Sequence, residues 1–94
     1  MAVGVLTLHL YFPGCLSLKE KRSRLKPILA RLHRQFNISV AEMDLLDTWQ
    51  EAIIACAWVN NDTATAQRAL QQIGQWIVHN WPDVEILDEV IEFV

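Results

Sequence analysis

The stretch SLKEKRSRLKPILARLHRQF, residues 17–36, gives the clearest helix signal in the chain. It opens on a capping box, in which the Ser17 hydroxyl accepts from the backbone of Glu20 and the Glu20 carboxylate reaches back. Its apolar side chains recur at spacings of three, four and seven residues, so one stripe faces a core. They are Leu18, Leu25, Ile28, Leu29, Leu32 and Phe36. Pro27 removes one helical hydrogen bond. Because the stripe continues across it, we predict one helix, kinked near residues 23–27.

The positive charge of the chain is concentrated in the same stretch. Residues 17–36 hold seven of the eight Lys and Arg residues but only one of the eleven acids, so the net charge of −3 belongs to a strongly two-signed molecule. A chain of 94 residues is long enough for one domain, and we expect a single domain over residues 1–94. Its hydrophobic content of 52% is high for a small monomer, which indicates that another subunit covers part of its surface.

Composition also limits the cellular setting and the chemistry. No apolar run approaches the roughly 20 residues of a membrane span, and no positive residues precede the apolar start, as they would in a signal peptide. Cys15 and Cys56 are too few and too far apart for a disulfide framework or a Cys-pair metal site. We therefore expect a cytoplasmic protein with two free thiols and no cofactor.

Alternating side chains predict strands on both sides of the first helix. Residues 2–12 alternate, and Pro13-Gly14 ends this strand because proline lacks a backbone donor. One face holds Gly4, Leu6, Leu8 and Leu10, and the other holds Val3, Val5, Thr7, His9 and Tyr11. Residues 37–46 predict a second strand, followed by a hairpin turn at residues 46–48. The apolar members of the second strand are Ile38, Val40 and Met43.

A third strand, a second helix and a fourth strand complete the pattern. Residues 49–59 are apolar on both faces, which is typical of a central strand. Asp62 is the expected N-cap of a helix that Trp81-Pro82 ends. Residues 83–94 predict a last strand. One of its faces holds Val84, Ile86 and Val90, and the other holds Glu85, Leu87, Glu89, Ile91 and Phe93.

The predicted order of elements is therefore βαββαβ. Right-handed crossovers place both helices on one face of a four-stranded antiparallel sheet, with the first and third strands central. This α+β architecture is ferredoxin-like, and it leaves the opposite sheet face uncovered. Since strand three is apolar on both faces, a patch of several hundred Å² would remain exposed. We expect a homodimer through this face, with Tyr11, Ile54 and Trp58 as interface candidates.

Four short segments carry a family resemblance. They are PGCLSLKEKR (residues 13–22), FNISVAE (36–42), DTWQ (47–50) and PDVEIL (82–87). They resemble the YlxP-like family of small bacterial proteins, a domain of unknown function, over nearly the whole chain. The resemblance implies a ferredoxin-like fold and carries no catalytic residues with it. Family members are often encoded beside translation-initiation and ribosome-maturation factors, which favours an RNA partner. Pro27 departs from the family pattern.

The basic helix is the first candidate site. Lys19, Lys21 and Arg22 crowd its first turn, where the helix dipole disfavours cations by about 0.3–1 kcal/mol each. With the free backbone N–H groups of that turn they would form a phosphate site, which Lys26 extends along the helix. The alternative is that these side chains are solvated or paired with acids of the neighbouring hairpin. Those acids are Glu42, Asp44, Asp47 and Glu51.

Base stacking and catalysis receive less support from the sequence. The aromatics that could face away from the helices are Tyr11, Trp49 and Trp58. Because the positive charge lies on a helix, packing of these rings in a core or dimer interface is favoured over stacking. The three histidines show no metal-ligand spacing. Residues 12–16 lack the arginine that an acylphosphatase-like reaction needs on this fold, and no nucleophile or phosphate-loop motif occurs.

The sequence therefore predicts a non-enzymatic cytoplasmic protein that contacts RNA or a ribonucleoprotein through its basic helix. The predicted contact residues are Lys19, Lys21, Arg22 and Lys26. The alternative is a homodimeric protein-interaction module that binds an acidic protein surface and has no role with nucleic acid. Neither hypothesis calls for a metal, a cofactor or a membrane.

Overall fold

The computed structural model describes residues 2–94, and Met1 lies outside the described residues. The elements follow the predicted order. They are β1 (Ala2–Tyr11), α1 (Leu18–Phe36), β2 (Ser39–Asp44), β3 (Glu51–Asn60), α2 (Thr63–Asn80) and β4 (Glu85–Phe93). All strand pairs are antiparallel and the sheet order is β2-β3-β1-β4, so β1 and β3 are central as predicted. The chain has the ferredoxin-like α+β fold.

The core lies between one face of the sheet and the two helices. Alternate residues of the central strands are buried on that face, as expected when helices cover one side only. From the strands the core takes Leu6, Leu8, Leu10, Ala52, Ile54 and Cys56, and from the helices Leu25, Ile28, Leu32, Leu70, Ile73 and Ile77. The odd-numbered residues of β1 and β3 point to the other side of the sheet, which we call the open face.

Local sequence sets both ends of α1. Ser17 Oγ accepts a hydrogen bond from Glu20 N at 3.0 Å, and Glu20 Oε2 accepts one from Leu16 N at 3.0 Å, so the predicted capping box forms. The helix runs unbroken through Pro27, and the predicted kink there stays a prediction. It ends where Asn37 adopts the left-handed conformation with φ 52°.

The second helix also begins and ends where its sequence predicts. Asp62 Oδ1 accepts a hydrogen bond from Ala64 N at 3.2 Å, which confirms Asp62 as the N-cap. At the other end Trp81 N still donates to Ile77 O at 2.8 Å. Pro82 follows and has no backbone N–H with which to continue.

Strand β2 is shorter than the predicted span of residues 37–46. Its register against β3 shifts between Glu42 and Asp44, so Met43 stands as an extra residue. Met43 is a member of the strand, as predicted, and it is 61% exposed at the bulge. A single-residue bulge redirects the side chain that it displaces.

A second bulge changes the faces of β4. Leu10 pairs with Ile86 and His9 pairs with Asp88, which leaves Leu87 as the extra residue. Ile86 therefore faces the helices, whereas Val90, the partner of Thr7, lies on the open face. The prediction that Ile86 and Val90 share one face was wrong because a one-residue shift inverts the alternation.

Candidate functional site

Lys21 is the one charged side chain that is buried within residues 2–94, with 0% of its surface exposed. Its Nζ donates to Leu45 O at 2.8 Å and to Glu51 O at 3.0 Å. It also lies 3.1 Å from Glu42 Oε2, a buried oxygen that accepts no well-aligned hydrogen bond in the described chain. The ammonium therefore ties α1 to both ends of the β2–β3 loop. We call these contacts the Lys21 clamp.

The prediction that Lys21 belongs to an anion-binding site was wrong. Its three donors already face two carbonyls and a carboxylate of the same chain, and no part of it reaches solvent. The alternative of pairing with the neighbouring hairpin is what this lysine does, through Glu42. Burying an ammonium is costly unless it is paired and hydrogen-bonded, and both conditions hold here.

The capping box occupies part of the expected phosphate site at the N-terminus of α1, and the site itself stays a prediction for Lys19 and Arg22. Glu20 N donates to Ser17 Oγ, so the cap uses one of the free N–H groups that a phosphate would need. The Glu20 carboxylate accepts from Leu16 N and places a negative charge at the same end of the helix. An anion bound at the backbone N–H groups would meet this carboxylate, so phosphate contacts at this end of α1 would have to come from the exposed side chains.

Arg24 is turned toward the end of the molecule that holds the β1–α1 and α2–β4 connections. Its guanidinium donates to Asp83 Oδ2 at 2.7 Å and to Pro13 O at 3.1 Å. The same group lies 5.2 Å from the centroid of the Phe12 ring. These contacts pack Arg24 against its own chain, so we exclude it from the candidate site.

Arg31 is likewise engaged, at the contact between the two helices. It donates to Asn80 Oδ1 at 3.1 Å and stacks over Trp76 and Trp81, at 5.3 Å and 4.9 Å from their ring centroids. Phe36 extends the cluster with its ring 5.4 Å from Trp76. Cation–π contacts of this kind join Arg31 to α2, and the tryptophans here serve packing.

Lys19, Arg22 and Lys26 remain exposed and have no ion-pair or hydrogen-bond partner among residues 2–94. Spacings of three and four residues place them on one side of α1. We call them the cationic stripe. Arg22 and Lys26 border a groove of about 410 Å³ between α1 and the edge strand β2, whose other lining residues are Leu25, Leu29 and Glu42. Three of the four predicted contact residues are thus brought together on one surface.

The dimer-interface candidates fall on different sides of the sheet. Tyr11 lies on the open face, paired with Glu51 and Glu85. Ile54 is fully buried under the helices, and Trp58 lies on that same side, partly buried against the core. The assignment of Ile54 and Trp58 to the interface was therefore wrong, because the even-numbered residues of β3 face the helices.

The open face is apolar at its centre and acidic along β4. Its small and apolar members are Val3, Val5, Thr7, Ala41, Ile53, Ala55, Ala57, Val59 and Val90. Its acids on β4 are Glu85, Asp88 and Glu92. Of the open face, the sequence-based interface candidates included only Tyr11 and none of these small and apolar residues. The face of β1 that includes His9 is the more polar one, and this signal could have identified the side that meets solvent.

His9 is the polar residue at the middle of the open face. Its Nε2 lies 2.6 Å from Glu51 Oε1, and both side chains are about a third exposed, at 28% and 38%. Asp88 is its register partner on β4. The histidine thus has a carboxylate partner on the neighbouring strand β3.

Other reactive side chains give no sign of a catalytic or metal centre. Cys15 and Cys56 are free and buried, and burial raises the pKa of the Cys56 thiol to about 12. No cluster of three His, Cys, Asp or Glu residues in the described part of the chain is placed to hold a metal ion. Within residues 2–94, neither helix combines the length and apolar character needed to cross a membrane.

Comparison with known proteins gives the family. A family model described as "Protein of unknown function (DUF503)" matches residues 3–91. The chain belongs to this family. A family relative, the uncharacterized protein YlxP of Bacillus subtilis (strain 168), is 38% identical over 69 residues, which cover 73% of this chain and 74% of the relative. The predicted family resemblance is confirmed, and neither description assigns an activity.

A solved structure supports the fold. The de novo designed protein Foldit4 superposes with a TM-score of 0.54 at 17% identity, covering 100% of this chain and 97% of the designed one. At this level of identity the likeness concerns the arrangement of strands and helices alone. The function must therefore be argued from the surface of this chain.

Proposed function

We propose that this protein binds RNA through the cationic stripe and performs no catalysis. One observation carries the proposal: Lys19, Arg22 and Lys26 share one exposed side of α1 without a partner, while Lys21, Arg24 and Arg31 are engaged within the chain. Unpaired cations in a row attract phosphates, whose binding releases counterions from the nucleic acid.

The spacing of the stripe suits a nucleic-acid backbone. Lys19 and Lys26 are seven residues apart, which is about 10 Å along a helix at 1.5 Å per residue. A strand rises about 3.4 Å per nucleotide, so about three phosphates pass along this length. The flexible side chains accommodate the remaining differences in position, and we expect about three phosphate contacts.

The distribution of acids favours approach from one side. The stripe borders β2, which is one edge of the sheet, and β4 is the opposite edge. β4 carries four acids, Glu85, Asp88, Glu89 and Glu92. The unpaired cations therefore lie on α1 beside β2, which itself carries Glu42 and Asp44, whereas β4 carries acids and no base. A two-signed charge distribution of this kind orients a polyanion during encounter.

Charge reversal of the stripe tests this proposal. The variant Lys19→Glu/Arg22→Glu/Lys26→Glu should bind a fluorescein-labelled RNA hairpin with a single-stranded tail at least tenfold more weakly than the wild type, measured by anisotropy. Arg34→Glu is matched with the single variant Lys26→Glu, because each reverses one exposed charge on α1 and Arg34 lies eight residues beyond Lys26. Lys26→Glu should weaken binding more than Arg34→Glu. Equal affinity of the wild type and the triple variant for this RNA would contradict the proposal. Binding of acidic protein surfaces in place of RNA would instead support the alternative interaction module.

We also propose that two copies associate through the open face. A four-stranded sheet of this length presents about 600 Å² on one face. Each partner contributes roughly 600–1,000 Å² to a standard interface, so this area lies at the low end of that range. The apolar centre supplies the contact area. Because Glu85, Asp88 and Glu92 repel their counterparts, we expect association at micromolar concentration that strengthens as salt screens them.

Sedimentation equilibrium tests the dimer. Ala55→Lys places a charge at the centre of the open face, between Thr7 and Ala41, and should give a monomer. Gln71→Lys adds the same charge on an exposed position of α2 and should leave the dimer intact. The wild type should be measured at low salt and at about 0.5 M salt, over protein concentrations in roughly the micromolar range. A wild type that stays monomeric under all these conditions would contradict this proposal.

A further inference from the structure

We infer that the RNA bound by the cationic stripe is single-stranded and stacks one unpaired base on Trp49. The inference rests on the proposed function and adds its ligand class. Trp49 lies in the β2–β3 loop, residues 45–50, and is 52% exposed. The other three tryptophans are partly buried against the core or Arg31. Trp49 thus presents the large aromatic surface that the rest of the fold leaves free.

The loop that carries Trp49 is fixed on both sides. The Lys21 clamp holds Leu45 O before it and Glu51 O after it. Between them, Gln50 O accepts from Phe12 N at 2.7 Å and Gln50 Nε2 donates to Cys15 O at 3.3 Å. An exposed ring on an immobilised loop stacks on a base without a further cost of ordering the backbone.

The same contacts bring the ring near the cationic stripe. Lys21 lies in the turn of α1 that also holds Lys19 and Arg22, and its side chain bonds the carbonyl of Glu51, two residues after Trp49. Two residues of extended chain span at most about 7 Å. Trp49 therefore lies at the end of α1 that holds Lys19 and Arg22, and we infer that a strand of a few nucleotides reaches both the ring and these cations.

The charge of the loop favours a base over a phosphate at its tip. Asp47 is exposed beside Trp49 and would repel a phosphate, whereas a carboxylate accepts hydrogen bonds from amino groups on base edges. Leu46, 54% exposed, and Leu16, 71% exposed on the adjoining β1–α1 loop, extend the apolar surface. The backbone of the strand would follow the cations while one base turns toward the ring.

This arrangement excludes duplex RNA as the preferred ligand. In a duplex the bases are stacked on one another and their faces are unavailable, so a duplex offers the stripe phosphates but gives Trp49 nothing to stack on. Unpaired bases stack on aromatic side chains with little dependence on sequence. We therefore expect a preference for unpaired RNA with weak sequence discrimination.

The test compares one RNA sequence as a 12-nucleotide single strand and as a blunt duplex. Trp49→Leu should weaken binding of the single strand about tenfold and leave binding of the duplex unchanged. The dependence of affinity on salt should stay as in the wild type, because no phosphate contact is lost. Trp49→Phe should retain most of the affinity, since phenylalanine still stacks. Phe93→Leu, a change of another partly exposed aromatic on β4, should have no effect.

Each contrary outcome has its own meaning. If Trp49→Leu binds the single strand like the wild type, while reversal of the stripe weakens binding, the inference is wrong and the proposed function stands. If the wild type shows no salt-dependent binding to either RNA, the proposed function itself fails. The chain has four tryptophans, so the signal of Trp49 is the part of the fluorescence that Trp49→Leu removes. If this part responds to anionic vesicles and not to the single strand, the ring serves a membrane surface and the inference is overturned.

Discussion

Lys21 shows how one residue type can serve opposite purposes at neighbouring positions. Sequence spacing places Lys21 on the buried side of α1, because Lys21, Leu25, Ile28 and Leu32 recur at four, three and four residues. A lysine on that side is either buried with its ammonium paired, or it extends its side chain to solvent. The spacing alone does not distinguish these two outcomes. The three acceptors that settle the matter come from a distant loop, which no local pattern predicts.

Replacing Lys21 tests the clamp. Lys21→Met keeps the aliphatic length but leaves two carbonyls and the Glu42 carboxylate without a cation, so the free energy of unfolding should fall by about 3–5 kcal/mol. Urea denaturation measures this value. Lys19→Met, on the exposed side, should change stability by less than about 0.5 kcal/mol. A small loss in Lys21→Met would mean that the contacts of the clamp contribute little.

Asp62 predicts a dependence of stability on pH. The hydroxyl of Thr65, and then the N–H of Ala64, hold the pKa of this carboxyl below its usual 3.8. A lowered pKa in the folded state means that the ionised carboxylate stabilises the fold above pH 3.8 and that this contribution is lost as pH falls through the folded pKa.

The comparison for Asp62 is Asp62→Asn, which keeps a capping oxygen without the charge. The wild type should unfold at higher urea than the variant at neutral pH, and the difference should narrow below pH 3.8. High salt should reduce the difference, since the carboxylate is exposed. If the difference in unfolding urea concentration between the wild type and Asp62→Asn stayed constant down to the lowest pH measured, this explanation of the cap would be wrong.

At the scale of elements, the helices were predictable and the strand edges were not. The capping box and the Asp62 cap are local signals that predicted the starts of the two helices, and the structure confirms both. The apolar stripe predicted that α1 continues past Pro27, which the structure also confirms. The bulges at Met43 and Leu87 depend on pairing with β3 and β1. Because pairing partners lie far away in sequence, alternation alone placed Ile86 and Val90 on one face, and the bulge puts them on opposite faces.

The two glycines at contacts between elements predict opposite effects of added bulk. In Gly4→Ala the new Cβ would lie 2.7 Å from Leu70 Cδ1 and 3.1 Å from Phe93, inside the contact between β1 and α2. In Gly74→Ala it would lie 3.0 Å from Glu89 Oε1, the end of an exposed side chain that can move away. Overpacking destabilises, whereas alanine is favoured over glycine in a helix by about 1 kcal/mol.

Thermal unfolding distinguishes the two variants. We expect Gly4→Ala to lower the free energy of unfolding by about 1–3 kcal/mol. Gly74→Ala should raise the free energy of unfolding by up to about 1 kcal/mol, reduced by any cost of moving the Glu89 side chain. Destabilisation of both variants to the same extent would show that the Glu89 side chain is held in place against Gly74.

At the scale of the whole molecule, the order of the elements decides where charge and apolar surface appear. The βαββαβ order gave the helix-covered sheet and its uncovered face directly. It did not reveal which residues of β3 occupy that face, since both sets are apolar; the register with β1 settles this by burying Ile54 opposite Leu8. The proposed dimer therefore keeps its surface while two of its three predicted residues change.

The cationic stripe and the open face lie on different surfaces of the fold, α1 on one side of the sheet and the uncovered strands on the other. Two such molecules joined through their open faces would carry their stripes on opposite outer sides. RNA binding and self-association therefore do not compete, and salt should act on them in opposite directions, weakening the first and strengthening the second.

The central claim is that Lys19, Arg22 and Lys26 neutralise phosphates. The most direct measurement is the affinity of the wild type for a single-stranded RNA across a salt titration, with the triple alanine variant of the stripe beside it. About three phosphate contacts predict a slope of about −2 for the logarithm of the binding constant against the logarithm of salt concentration, and a slope near 0 for the variant. A wild-type slope near 0, or equal slopes for the two proteins, would contradict the claim.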